Sequence, residues 1–192
     1  VGLQQGVEPL LAALGDPEVE VRQISAFALG LIGSPLASGG LVEALNDPEP
    51  AVQGRSAEAL GRIGAVESVS AIGMMVARHL PATFVLEPED ESYPLFPAVE
   101  AFRLGVYALG ELGVYEPLAD VVLQENGQPI LWWWPVAYAL QRTGDPRAAE
   151  ALATLVGVQG NTGVAFAAQG LGALGDPSAI EALAALLDLD RR

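Results

Sequence analysis

The chain contains no cysteine and no lysine; all nine of its basic residues are arginines. Without cysteine there is no disulfide, no thiolate metal site and no thiol nucleophile. Without lysine there is no Schiff-base lysine and no phosphate-binding lysine of the P-loop kind. The single histidine, His79, has no second imidazole to join it in a zinc site. Positive charge is scarce: 9 Arg stand against 24 Asp and Glu, a net charge of −15 over 192 residues. Duplex binding needs a basic face that displaces counterions, so the balance argues against nucleic acid as partner. No run of about 18 uninterrupted apolar residues occurs, so no membrane span is expected. The length suits one ordinary domain or a short repeat array with a real core.

What is present is a repeat. Ala-Leu-Gly recurs at 28–30, 59–61 and 108–110, each time followed three residues later by another glycine. That second glycine is a natural anchor: Gly33, Gly64, Gly113, Gly144 and Gly175, at spacings of 31, 49, 31 and 31. The long spacing holds one 31-residue unit plus 18 extra residues, an insertion over roughly 80–96 in the third unit. Leucine stands four before every anchor: Leu29, Leu60, Leu109, Leu140 and Leu171. Alanine stands five before it in four units and Gly170 in the fifth.

Each unit reads as two helices. The second ends on the anchor glycine, which suits a left-handed residue just past a helix. Pro17, Pro48 and Pro97 stand sixteen before their anchors, and Asp16 and Asp47 precede two of them. These read as N-cap carboxylates with proline in the first turn. Asp145-Pro146 and Asp176-Pro177 mark first helices in the same way. Neither helix can bury its apolar stripe alone; stacked pairs make one core. The expected fold is an all-α, right-handed α-solenoid of five helical pairs plus a final helix.

The pattern from Asp16 to Gly33, Asp-Pro-x-x-x-Val-Arg-x-x-x-Ala-x-Ala-Leu-Gly-x-Ile-Gly, resembles the short HEAT-like repeat of phycobilin lyase subunits and bacterial scaffold proteins. The resemblance covers nearly the whole chain outside the insertion. It implies a helical superhelix whose second helices line the concave side. The family's arginine, eleven before the anchor, is present only as Arg22; its equivalents are Gln53, Phe102, Trp133 and Val164. An inter-repeat Asp–Arg ladder is therefore expected only in the first two units, with apolar and aromatic stacking in the later ones. Gly2 falls at the anchor position of a preceding repeat, and the last 17 residues form only a first helix. Residues 1–192 are thus expected to be one array within a longer chain.

Positions ten and six before the anchor should project from the inner face. They hold Gln23, Gly54, Arg103, Trp134 and Ala165, and Phe27, Glu58, Tyr107, Tyr138 and Gln169. Tyrosine, tryptophan and arginine are the usual anchors of binding hot spots. Arg103, Tyr107, Trp134 and Tyr138 stand in adjacent units and should form one patch, with Phe27 further along the same column. In the run Trp132-Trp133-Trp134, Trp132 is expected in the core, Trp133 in place of the family's arginine and Trp134 in the groove; Pro135 implies a late or irregular helix start. The insertion carries three prolines and an acidic stretch from Glu87 to Glu91, flanked by apolar residues including Tyr93 and Phe96. It reads as an ordered arm at the rim of the patch.

No catalytic constellation is visible. There is no Gly-x-Ser-x-Gly elbow for a serine nucleophile, and the acidic stretch lacks the glycine and spacing of a calcium loop. Neither a metal nor a cofactor is expected. The expected function is a non-enzymatic scaffold that binds a protein or peptide, basic at least around the rim, on its concave face. The alternatives are a bilin lyase-like or chaperone-like subunit, suggested by the family's name, and a structural spacer in a larger protein. A cysteine-free chain is compatible with cytosol or periplasm; the cytoplasm is the leaning.

Overall fold

The structure, a computed structural model, describes residues 4–84, 95–157, 161–175, 177 and 179–189. Eleven α-helices stand among them. They pair in chain order as α1 (Val7–Ala13) with α2 (Val19–Ile32), α3 (Ser38–Ala44) with α4 (Pro50–Ile63), and α5 (Val69–His79) with α6 (Pro97–Glu111). Next come α7 (Tyr115–Val122) with α8 (Trp134–Thr143), α9 (Ala149–Val156) with α10 (Asn161–Leu174), and finally α11 (Ala179–Leu189). No strand occurs among the described residues, only an isolated bridge between Leu123 and Pro129. The chain is a helical solenoid.

All five anchor glycines have φ between 61° and 79°, and no side-chain-bearing described residue does. At Gly64 the Ala65 amide donates to the Leu60 carbonyl at 3.1 Å and the Gly64 amide to Gly61 at 3.0 Å, which closes the end of α4. The starts differ from expectation. Asp16 and Asp47 do not cap α2 and α4; each accepts the amide two residues on, Glu18 or Glu49, at 2.9 Å. They close turns that hold Pro17 and Pro48 ahead of the helices, which begin only at Val19 and Pro50. Pro97 does occupy the first residue of its helix, whereas Asp145 caps only the short 3-10 turn Pro146–Ala148 that leads into α9, accepting the Arg147 amide at 2.9 Å. Asp176 lies outside the described residues.

The leucine column is the spine of the core: Leu29, Leu60, Leu109 and Leu140 are fully buried and Leu171 is 1% exposed. Beside it runs a seam of small residues. Gly30, Gly61 and Gly110, three before their anchors, lie against Ala59, Ala108 and Ala139, five before the next. A Cβ added to these glycines would stand 2.8, 2.9 and 2.8 Å from the facing alanine Cα. At the fourth interface the roles reverse: Gln141 occupies the first position and Gly170 the second, where a Cβ would meet Gln141 Cβ at 3.1 Å. The exception in the alanine column is thus a compensation. Each interface keeps one glycine, and Ala-Leu-Gly recurs because it supplies both halves of the seam. Consecutive second helices consequently pack along their length, whereas the first helices touch one another much less.

The column eleven before the anchor changes chemistry along the array. Arg22 reaches Asp47 of the next unit with two hydrogen bonds, of 2.7 and 2.9 Å. Gln53 donates to the Asp47 carbonyl and accepts from His79 Nε2 at 2.7 Å. Phe102 then stacks on Trp133, with centroids 6.4 Å apart, and both are buried. The ladder gives way to aromatic packing as the arginine does. Two further inter-unit ion pairs lie outside this column among the described residues: Arg147 bonds Glu116 at 2.8 Å, and Arg142 pairs with Glu111 at 3.1 Å.

Trp132 departs from expectation. It is 51% exposed, not core. Helix α8 begins only at Trp134, with Pro135 in its first turn, so helical register does not extend back to Trp132. Residues 123–133 instead form an irregular loop, turned at Gly127.

The Arg22–Asp47 pair carries a pH dependence. Burial by itself would raise the Asp47 carboxyl. The hydrogen bonds from Arg22 and from the Glu49 amide, with the arginine's charge, outweigh it and hold the group below the ordinary carboxylate range. A lowered folded value means that the pair stabilises fully above the unfolded value, about 3.9, and that this is lost as pH falls through the folded one. Asp47→Asn is expected to lower stability at neutral pH and to flatten part of the acid limb below about pH 4 in denaturant titrations. An unchanged acid limb would assign that limb to other carboxylates, among them Asp145 and Glu116, which Arg147 also holds low.

Candidate protein-binding surface

The second helices bring four aromatic rings together. Tyr107 on α6 and Tyr138 on α8 lie face to face, with centroids 5.2 Å apart and planes 1° from parallel. Phe166 on α10 meets Tyr138 edge-on at 5.1 Å and lies 6.1 Å from Trp134. Tyr107, Tyr138, Trp134 and Phe166 are all half-buried. They form a stripe across three units, each ring supported by its neighbour and open on one side. Such pairs add about 0.5–1.5 kcal/mol beyond area burial. Three of the four stand six or ten before their anchors. Phe166 stands nine before, a column that also holds Ile24 and Arg55; the sequence reading missed it.

Polar groups fix the stripe from its edge. Tyr138 donates to Glu111 Oε1 at 2.7 Å, and Arg142 pairs with the same oxygen at 3.1 Å. Burial first, then the bond to Glu111 and the contact with Tyr107, hold the Tyr138 hydroxyl well above the ordinary phenol range. It stays a neutral donor at any physiological pH. Arg103 is half-buried and bonds Glu100 through two nitrogens, at 2.7 and 2.6 Å. It lies one turn from Tyr107 on α6.

Phe27 is 36% exposed and stands apart from the stripe, on α2. Arg55 and Arg62 of α4 lie over its ring at 5.5 and 5.7 Å from the centroid. Both arginines pair with Glu58, at 2.7 and 2.8 Å. Glu58, expected to project freely, is buried at 7% exposure. Two cationic side chains from its own helix close over it.

Of the arm, Tyr93 and the acidic stretch lie outside the described residues. Phe96 is 77% exposed at the start of α6. Leu95 returns to the second-helix layer and lines a shallow pocket with Gln23, Gly54, Arg55, Glu100 and Leu104. His79 belongs to none of this. It is buried against Gln53, and burial, then the charge of Arg78, lowers its basicity. No group of three or more potential metal ligands occurs among the described residues. No described helix is long and apolar enough to cross a membrane.

Comparison with known proteins decides the family. HEAT repeats match residues 7–79, and the PBS lyase HEAT-like repeat matches residues 165–188. The chain is a HEAT-like repeat protein of the PBS lyase type. No curated protein matches it. The HEAT matches leave out residues 80–164, which hold the insertion and the turn from Arg22-type to aromatic stacking. Phe166 lies within the second match, and Tyr107, Trp134 and Tyr138 lie between the two.

Proposed function

We propose that this HEAT-like array is a non-enzymatic scaffold that binds a protein segment along its second-helix face, with the 80–96 arm at the rim. The observation that carries this is the stripe Tyr107–Tyr138–Phe166–Trp134, four partly open rings in a chain that is 6% aromatic. A stack drawn together more tightly on one layer curves toward that layer. The glycine–alanine seam draws the second helices together, which supports reading their face as the concave one. A run of rings held in place beforehand by stacking and by Glu111 loses little freedom when a ligand covers it.

The chemistry of the face favours binding over catalysis. The Tyr138 phenol is held protonated, Glu58, Glu100 and Glu111 are each engaged by arginine, and His79 is spent in the core. None of these is poised to move a proton.

Peptides selected from a random linear library against the whole protein test the reading. Tyr107→Ala and Tyr138→Ala are each expected to weaken the selected peptides by about 2 kcal/mol, roughly thirtyfold. Met74→Ala, on the exposed flank of α5, should leave affinity unchanged. Peptides that bind equally to the wild type and both tyrosine variants would place the site elsewhere.

A further inference from the structure

The charge of this protein is sorted by layer. The five second helices carry five arginines, Arg22, Arg55, Arg62, Arg103 and Arg142, and four glutamates. The rest of the chain carries four arginines against twenty acids. The net charge predicts a basic partner; its distribution does not. On the second helices Arg22, Arg103 and Arg142 are paired with Asp47, Glu100 and Glu111, whereas Arg55 and Arg62 share one carboxylate, so the positive charge open to a ligand lies at that pair and favours an acidic one.

The α2–α4 end of the face makes this concrete. Glu58 is covered, with 9% of its side chain exposed, while Arg55 and Arg62 remain 31% and 40% exposed above it. Each guanidinium gives one nitrogen to Glu58 and keeps further N–H donors. One carboxylate cannot neutralise two guanidiniums, so the pair presents a net positive charge with free donors. Between and beside them lie apolar groups: Phe27 beneath both arginines, and Ile24, 65% exposed, sharing a pocket with Gln23, Phe27 and Arg55. A guanidinium that already lies on an aromatic face and is held by a buried carboxylate has little rotamer freedom left to lose.

We propose that this end of the face takes an acidic peptide segment, seating a carboxylate on Arg55 and Arg62 and the adjoining apolar side chain against Phe27 and Ile24. The proposal rests on the scaffold reading above and names the partner's chemistry.

The test uses fluorescence anisotropy with two labelled peptides of equal length. One repeats Glu-Leu-Asp-Phe; the other has Lys at every acidic position. The wild-type protein is expected to bind the acidic peptide, more weakly as salt is added, and to bind it better than the lysine peptide. Arg55→Gln with Arg62→Gln keeps a donor for Glu58 while removing the charge, and should weaken the acidic peptide at least about tenfold. Phe27→Ala leaves the ion pairs in place and should weaken it similarly, so it decides the matter if the double variant melts early. Equal or tighter binding of the lysine peptide, no binding of the acidic one, or full affinity in these variants overturns the proposal. Library peptides that need Tyr138 but carry no acid would leave the scaffold reading standing and sink this one alone. A protein that takes no peptide of any charge would sink both.

Discussion

Leu140→Ala is expected to cost about 2–5 kcal/mol of folding stability. Leu140 is fully buried on α8, midway between α6 and α10. It stands in the one column that every unit fills with leucine. Neighbours on three helices cannot collapse into the space without breaking the glycine–alanine seam, so the cavity stays open and the cost belongs in the upper half of the range. In a solenoid each unit leans only on its neighbours. The loss at α8 should therefore also uncouple the two ends, seen as a broadened or split transition. Phe96→Ala, at a residue 77% exposed, is the matching control and should change little. Glu58→Ala cannot serve as that control, because it would leave Arg55 and Arg62 facing each other. Equal losses at Leu140 and Phe96 would mean that the leucine column is not the core.

The second large effect concerns glycine. In most helices Gly→Ala is favourable by roughly 0.5–1 kcal/mol. Gly172 on α10 has open space where a Cβ would go, so Gly172→Ala should follow that rule. Gly110→Ala should do the opposite. Its Cβ would stand 2.8 Å from the Cα of Ala139, and a backbone atom cannot rotate aside as a side-chain tip can. Helices α6 and α8 would have to part, which costs about 1–3 kcal/mol, and Gly110→Val more. The Tyr107–Tyr138 stack spans the same two helices, so the substitution should disturb binding as well as stability. Thermal melts of the two alanine variants suffice. A stabilised Gly110→Ala would show that the second helices are not in backbone contact.

The fold was legible because the packing repeats. A glycine that must adopt positive φ, a leucine that must fill the core and an alanine that must let a glycine approach recur at fixed distance, and the eye needs only the spacing. The exceptions were not legible from spacing alone. Gly170 looks like a lapse in the alanine column until Gln141, in the preceding unit, is seen facing it. Asp16 and Asp47 carry the right residue for a cap. The turns they close delay the helix by two residues, which composition does not reveal. Helical register does not reach Trp132, because Pro135 delays the helix to Trp134.

The surface was legible in part. Half-exposure of Trp134, Tyr107 and Tyr138 follows from their column, but their mutual stacking and the part played by Phe166 do not. Two cues pointed to Phe166: it stands in the same column as Ile24 and Arg55, and it is the one aromatic residue on its helix. Burial of Glu58 depends on two arginines reaching it from three and four residues away on its own helix. Spacing allowed that contact without requiring it. The share of arginine on the second helices follows from the sequence once the helices are assigned.

Hydroxyl-radical footprinting of the protein, free and saturated with a library-selected peptide, tests the binding face most directly, because it reads side-chain cover without any substitution. Tyr107, Trp134, Tyr138 and Phe166 are each half-open to solvent, whereas Met74 lies 66% exposed on α5, in the other layer. The expected result is that the four rings lose labelling on binding while Met74 is labelled as before. Protection of Met74 with unchanged labelling along the stripe would put the partner on the first-helix side and contradict the account.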